Sequence, residues 1–382
     1  MTLEGHLSME DLRMPLPWKR SGPPPIAADL GVDAIRLVQL DSEDLTSVAT
    51  ATESPLPNAA PFDLSSHLEV ASHALKTISD DGPWRGRRLV VALPAAMVSM
   101  AYARIEADED PQLIAQSRFP DLAEDLTLRT IDLPANGRTM RSGRDVLLLA
   151  MSRASVLRYV EMIHDLKFEV AAVYSPASMM VRAFAHLNRR ERDTDSATLY
   201  VDLDQHGTTA AIGHGRQMVL ARRFDTSVCT NAIHAAPRRI EQSVPVAAAE
   251  SPSEQQFLAT LNRRQGAMPD SMASLPVGDG VAGNKHTTEI VEELQLCLRH
   301  HRSLFDNIEV GRVVFTGTAA TEQSPCRQLA RSLGVPAVVG DPLGQWNTEQ
   351  TNVPIDNWHQ HIRPQWAIAA GLAGTTDGSN RT

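Results

Sequence analysis

Cysteine is scarce in this chain: Cys229, Cys297 and Cys326 are its three cysteines, odd in number and far apart. That spacing excludes a disulfide framework and a paired metal motif, and it predicts a reducing compartment. Aromatic residues make up only 4% of the chain, so no stacking box for a flat cofactor is expected. Surplus positive charge is also missing. A formal net charge of -10 argues against nucleic acid as the main partner, because binding a phosphate backbone needs a basic footprint. Long apolar runs are absent as well. The longest, Leu89 to Ala103, is interrupted by Pro94 and Ser99, and the N-terminus lacks a charged-then-apolar pattern, so neither a membrane span nor a secretion signal is expected.

What remains is a globular composition, 42% apolar and 21% charged. At 382 residues the chain exceeds what one hydrophobic core usually organises, which predicts at least two domains. Residues 1–25 carry Pro15, Pro17, Pro23, Pro24 and Pro25 among charges and are expected to form a disordered tail. Ile26 to Gln39 reads as strand, tight turn at Gly31, strand, and a loose stretch follows over Asp41 to Pro61. From Leu64 to Ile78 apolar residues recur at helical spacing up to Gly82 and Pro83. Arg88 to Leu93 is an apolar strand; Ser152 caps a helix carrying Val156, Val160 and Ile163; Glu169 to Val173 returns as a strand. Helix alternating with buried strand is an α/β signature.

Thr198 to Gly215 repeats strand, turn and strand, with Asp204 to Gly207 as the turn. Residues 228–285 lose periodicity and read as a reduced or poorly ordered insert. Order resumes with a helix from Thr288, acidic at its start and basic at its end, as the helix dipole favours. Arg312 to Phe315, Pro325 to Leu333 and Ala337 to Val339 then form a βαβ unit, with Gly334 closing its helix.

Two places share one design: Asp29-Leu30-Gly31 after an apolar strand, and Asp202-Leu203-Asp204 before Gly207-Thr208-Thr209. Each puts a carboxylate at a strand end and a glycine in the following turn. Such a hairpin can cradle phosphate with backbone N–H groups and hold Mg²⁺ through the carboxylate. A third piece is Val313 to Gly317, where a glycine after a buried strand can face a ligand. Gly278 to Gly283 matches G-x-G-x-x-G, but no strand precedes it and no helix opens from it, so the dinucleotide reading fails. His300 and His301 are neighbours on a helix, about 100° apart, and cannot bind one metal from one face; a helix-end role is expected for them.

Taken in order, several segments resemble the PilM-type pilus assembly proteins of the actin-like ATPase superfamily, related to the bacterial cell-division actin homologue. They are Asp29-Leu30-Gly31 with Ile35 to Leu40, Val90 to Pro94, Leu147 to Ala150, Val201-Asp202-Leu203, Val313 to Gly317, Leu333 to Pro336 with Gly340-Asp341-Pro342, and Ala369 to Ala373. The resemblance covers residues 26–375 and implies an α/β, actin-like (ribonuclease H-like) fold: two domains, a cleft between them and a small inserted subdomain. It divides the chain into a first domain (26–95 and 151–196), an inserted subdomain (96–150), a second domain (197–350) holding the degenerate insert at 228–287, a return to the first domain (351–375) and a disordered tail (376–382).

By the same resemblance Asp29 and Gly31 belong to a first phosphate loop, Asp202, Gly207 and Thr208 to a second, and Gly317 to an adenosine loop, with ATP and Mg²⁺ as the implied ligands and no catalytic or metal residue assigned. The sequence departs from that pattern. Val32, Asp33 and Ala34 stand where small hydroxyl residues are expected, which removes donors and adds a repelling carboxylate, and Thr318 replaces the second glycine of the adenosine loop. The expected function is a cytoplasmic scaffold of a type IV pilus or type II secretion-like platform, with weak or lost ATP binding. It would sit peripheral to the inner membrane, reach it only through a partner, bind the tail of a PilN-like bitopic protein, and self-associate in some settings. The alternatives are an active Mg-ATP-binding ATPase or sugar-kinase-like enzyme, and a filament-forming protein. In PilM-type relatives a short N-terminal PilN peptide lies in a groove beside the inserted subdomain, so an extended apolar peptide is expected where residues 97–150 meet the first domain.

Overall fold

Two separate stretches of chain fold into the same sheet. β1 (Ile26–Leu30) turns through Gly31–Asp33 into antiparallel β2 (Ala34–Leu40), which pairs antiparallel with β3 (Val48–Pro55). On the other side of β1 lie two parallel strands, β4 (Arg88–Ala92) and β8 (Glu169–Tyr174), giving the order β3-β2-β1-β4-β8. The second sheet repeats this scheme. β9 (Ser196–Asp204), β10 (Gly207–His214) and β11 (Gln217–Phe224) form the antiparallel part, β12 (Glu309–Thr316) and β13 (Ala337–Val339) the parallel part, in the order β11-β10-β9-β12-β13. These facts come from a computed structural model, which describes residues 22–42, 45–57, 62–134, 143–187, 196–227, 285–347 and 362–377. Of the tail expected over 1–25, residues 1–21 lie outside the described residues, whereas Pro24 is buried and its carbonyl accepts from Gln39 at 2.8 Å. The insert expected over 228–287 lies outside them over 228–284, its last residues Lys285 to Thr287 opening a helix instead. The G-x-G-x-x-G segment and residues 378–382 also lie outside them, while the first two residues of the expected final tail belong to a short 3-10 turn, Gly374–Asp377.

The helices begin and end where side chains dictate. α1 (Leu64–Asp81) starts with Asp63, whose carboxylate accepts the Ser66 N–H at 2.8 Å. α3 (Arg153–Asp165) starts with Ser152, whose hydroxyl accepts the Ser155 N–H at 3.1 Å. Both cover one face of the first sheet, burying Leu75, Ile78, Tyr159 and Ile163 against β1, β2 and β4. α5 (Lys285–Leu304) and α6 (Gln323–Leu333) cover the outer face of the second sheet through Ile290, Leu294 and Leu329, and α6 ends at Gly334 with φ 65°.

The inner faces of both sheets share a third core. α4 (Pro176–Ala183) and α7 (Ala367–Ala373) fill it with Met179, Met180, Ala369, Ala370 and Leu372, together with Ala27, Val38, Tyr200 and Trp366. α7 is short but packs closely: a Cβ on Gly371 would lie 1.9 Å from the Met179 carbonyl oxygen, so only glycine permits this helix contact.

Between β4 and α3 the chain builds a three-stranded subdomain, β5 (Ser99–Ile105), β6 (Leu126–Asp132) and β7 (Arg144–Ser152) in the order β5-β7-β6, with α2 (Pro111–Arg118) packed on it. Three strands go beyond the sequence reading. β3 falls in the stretch expected to be loose, β6 lies inside the inserted unit, and β11 follows the second hairpin. All three lie at sheet edges, where one-sided burial weakens the apolar signal.

Candidate functional site

The two hairpins face each other across a cleft, and each presents one row of directly paired residues. In the first sheet the row reads Glu53 (β3), Arg36 (β2), Asp29 (β1), Ala92 (β4). In the second it reads Arg223 (β11), Thr209 (β10), Asp202 (β9), Thr316 (β12). Asp29, Gly31, Asp202 and Gly317 all line one cavity of about 30 Å³, together with Asp33, Arg36, Asp204 and Thr318. Gly207 and Thr208 do not line it. The Thr208 hydroxyl is buried and donates to the Thr226 carbonyl at 2.8 Å, turned to its own sheet rather than the cleft.

Arg36 dominates this cavity. A guanidinium buried to 3% exposure needs partners on several sides. It donates to Glu53 at 2.8 Å and to Asp33 at 3.1 Å, and stands 3.7 Å from Asp29. It also donates to the Thr318 hydroxyl at 3.2 Å, from the second lobe. That hydroxyl in turn donates to the Asp33 carboxylate. Asp33, expected to repel a phosphate, is therefore neutralised inside the protein. Burial opposes the charge on Arg36, but Asp33, Glu53 and Asp29 outweigh it and hold the guanidinium protonated.

Burial pushes the Asp29 carboxyl up to about 8; Arg36 opposes the shift, and the charges of Asp33 and Asp202 add to it. Asp202 is pushed up to about 7, mainly by burial and by neighbouring Asp204, while the Thr316 hydroxyl donates to it at 3.0 Å and pulls the other way. Near neutral pH the Asp29 site is largely protonated, so it is a weaker cation ligand than its position suggests. Asp204 is held above its usual range by burial and in check by Arg223, whose guanidinium stands 3.3 Å away. The second turn is stapled by the His206 N–H to Asp204 at 2.7 Å and by Arg223 to the His206 carbonyl at 2.9 Å.

Backbone positions in the loops have packing reasons of their own. Gly317 sits at φ 88°, and a Cβ there would come within 2.5 Å of the Leu203 carbonyl oxygen and 2.8 Å of an Asp202 carboxylate oxygen. The turn after β12 lies directly on the second hairpin, whatever else it does. The Gly31 carbonyl accepts from His67 Nε2 at 3.0 Å, and His67 Nδ1 accepts from the Tyr159 hydroxyl at 2.6 Å, fixing the first loop to α1 and α3.

A larger space lies elsewhere. A groove of about 620 Å³ runs between β5, the last strand of the inserted sheet, and β11, the last strand of the second sheet, with α5 as its third wall. Val98, Met100 and Leu147 line one side, Val219, Leu296 and Leu304 the other, and Arg222, Asp225 and His300 add polar groups. Tyr102 and His300 meet edge to face across it, with ring centroids 5.8 Å apart. The expected groove lay between the inserted unit and the first domain; the observed one has its opposite wall in the second lobe.

The histidines on α5 are not equivalent. His301 is buried, and its Nε2 lies 2.7 Å from His214 Nε2, both rings packed on Phe305. His301 does stand in the last turn of α5, but its ring makes a core contact. A partner 87 residues away was invisible to local spacing. Among the described residues no group of three or more His, Cys, Asp or Glu side chains is arranged so that it could hold a metal ion, and no helix is long and apolar enough to cross a membrane.

No protein-family profile and no curated protein matches the sequence. Among solved structures, a PilM–PilN type IV pilus biogenesis complex superposes with a TM-score of 0.63 at 15% identity, covering 93% of this chain and 99% of the other. A protein of actin-like ATPase fold from Bacteroides thetaiotaomicron gives 0.45 at 9% identity, covering 86% and 97%. The cytoplasmic domain of EpsL, an inner-membrane component of the Vibrio cholerae type II secretion system, gives 0.36 at 10% identity, covering 92% and 93%. The first superposition extends over nearly the whole of both chains, and with the duplicated sheets it shows an actin-like, two-lobed α/β fold similar to PilM.

Proposed function

We propose that this chain is a cytoplasmic assembly scaffold at the inner membrane, and that its groove holds the tail of a single-span membrane partner in an extended conformation. The observation that carries this reading is the groove itself, about 620 Å³, walled by the outermost strands of two sheets. An extended peptide entering between such strands can pair its backbone with either edge while alternate side chains enter the apolar floor. The PilM structure of the same fold was solved as a complex with PilN, and a PilN-like tail is the partner we assign here.

The cleft supports a structural rather than an enzymatic role. Small-molecule sites usually enclose about 300–1,000 Å³, whereas this cavity holds about 30 Å³ and is lined by four aspartates and one arginine. A triphosphate entering it would meet Asp33, Asp204 and the buried Arg36–Glu53 pair instead of free donors. Each lost charge-assisted hydrogen bond is worth about 1.5–3 kcal/mol, so missing several lowers affinity by orders of magnitude. Mg-ATP is therefore bound weakly or not at all. The competing enzyme reading draws on Asp29 and Asp202, which line one cavity.

Calorimetry separates these readings. A synthetic peptide of the cytoplasmic tail of a single-span protein encoded beside this gene should bind, and Leu296→Arg should abolish that binding, since Leu296 lines the groove at 41% exposure and tolerates a polar change. Undiminished binding to Leu296→Arg would remove the groove from the proposal. Micromolar Mg-ATP affinity, lost in Asp29→Ala and Asp202→Ala, would favour the enzyme.

A further inference from the structure

The groove and the cleft are linked by architecture: the inserted sheet belongs to the first lobe, whereas β11 and α5 belong to the second. The width of the groove therefore depends on how the lobes meet: in the core they share, at the Gln217 Nε2 bond to the Asp132 carbonyl of 2.6 Å, and at the cleft. At the cleft that meeting is made by side chains. Thr318, in the turn after β12, accepts from Arg36 at 3.2 Å and donates to Asp33, while Arg36 is anchored in its own lobe by Glu53 at 2.8 Å and Asp33 at 3.1 Å. The three groups close a triangle across the lobes, and all belong to segments separated by more than 280 residues in the chain or by one tight turn.

We propose that Arg36, with Asp33 and Thr318, is an internal ligand that locks the two lobes together, holding the groove open in its binding shape without any nucleotide. In a cleft that closes around a ligand, the ligand's charge and hydrogen bonds join the lobes. Here the guanidinium supplies the positive charge between the carboxylates of both hairpins, and the Thr318 hydroxyl supplies the bond from the far side. Asp33 and Thr318, each a departure in the phosphate and adenosine loops, then serve one purpose: they are the two ends of the clasp. Fixing the groove in advance removes an ordering cost from partner binding. The inference rests on reading the cleft as structural, but it does not depend on which partner the groove takes.

Hydrogen exchange on the full chain, with no partner and no nucleotide added, tests it. Thr318→Val keeps the contacts of Arg36 with Glu53, Asp33 and Asp29 and removes only the two bonds that Thr318 makes across the lobes. Expected is exchange accelerated about tenfold or more at residues 31–34 and 317–321 and along β5 and β11, with β1, β4 and β9 unchanged, as for a local opening. Arg36→Ala should do the same more strongly; if that variant fails to fold, Thr318→Val and Asp33→Asn decide. Acceleration confined to the first hairpin, or no change at the groove strands, would overturn the clasp. Peptide calorimetry is read separately, so loss of the groove partner and loss of the clasp cannot be mistaken for each other.

Discussion

The buried pair His214 and His301 makes acid stability a sharp test of the second lobe. Their Nε2 atoms lie 2.7 Å apart, which requires one to donate and the other to accept, so the accepting ring is neutral in that arrangement. A first proton can enter at the far nitrogen of the donor ring and leave the shared hydrogen bond intact. A second places two N–H groups head to head. Burial pushes His214 down to about 4, and it pushes His301 down to about 4 with help from the charges of His214, Arg302 and His300. The folded values lie below the unfolded value near 6.5, so this contribution is complete above about pH 6.5 and is lost as pH falls toward 4. At pH 5 the loss for the coupled pair is on the order of 2–4 kcal/mol.

The wild-type profile alone does not isolate this effect. Asp29 and Asp202 have folded values raised to about 8 and about 7. Their contribution runs the other way, with stability rising as pH falls through those values. The comparison is therefore with His214→Leu/His301→Leu, which keeps the carboxylates and replaces both members of the pair by apolar groups. Urea midpoints are measured for both proteins at pH 7.5 and pH 5.0. The wild type should lose about 1 M relative to the variant over that interval. Midpoints that move in parallel would refute the reasoning, because they would show that the pair titrates alike in the folded and unfolded chains.

Three further outcomes are expected. Gly371→Ala should destabilise by about 3 kcal/mol or more, read as a lowered melting temperature, because its Cβ would stand 1.9 Å from the Met179 carbonyl and backbone must move. Asp29→Asn should gain stability relative to wild type as pH rises from 6 to 8.5, by about 2 kcal/mol, because a carboxyl held at about 8 loses its contribution as pH climbs from its unfolded value; urea midpoints at both pH values check it. Trp84→Phe should lower stability by about 1 kcal/mol, since the indole N–H donates to the Ile78 carbonyl at 2.8 Å and closes the end of α1; thermal melts check it.

How far the sequence could be read depended on how local each signal was. The hairpins were legible because an apolar run, an aspartate and a glycine lie within a few residues, and that pattern survives at Asp29 and Asp202. Gly317 was found for the same reason. Arg36 was visible only as a letter inside a matching strand, though a charged residue in a strand buried at every position demands partners. Those partners come from β3, from the loop and from the other lobe, at separations no window spans. The pairing of Asp204 with Arg223 escaped notice because it crosses from a turn to β11, a strand whose far end carries charge and so reads as surface. The groove could be expected from the inserted unit, but its second wall depends on tertiary placement of β11 and α5.

The two paired rows explain why the lobes differ although their sheets do not. Each row carries one arginine, but at a different remove from its aspartate. In the first sheet Arg36 is on the strand next to Asp29, so its charge falls inside the cleft and reaches the opposite lobe. In the second sheet Thr209 intervenes, Arg223 stands one strand farther out, and its guanidinium is drawn to Asp204 and the turn carbonyl at His206. Arg223 thus stays with the second hairpin, while the Asp202 carboxylate accepts from the Thr316 hydroxyl at 3.0 Å. A shift of one strand position, about 4.8 Å, moves a cation from the junction of the lobes to the turn of its own hairpin. The duplicated sheet therefore sets one arginine against the opposite lobe and the other against its own hairpin turn, from the same row of the same fold.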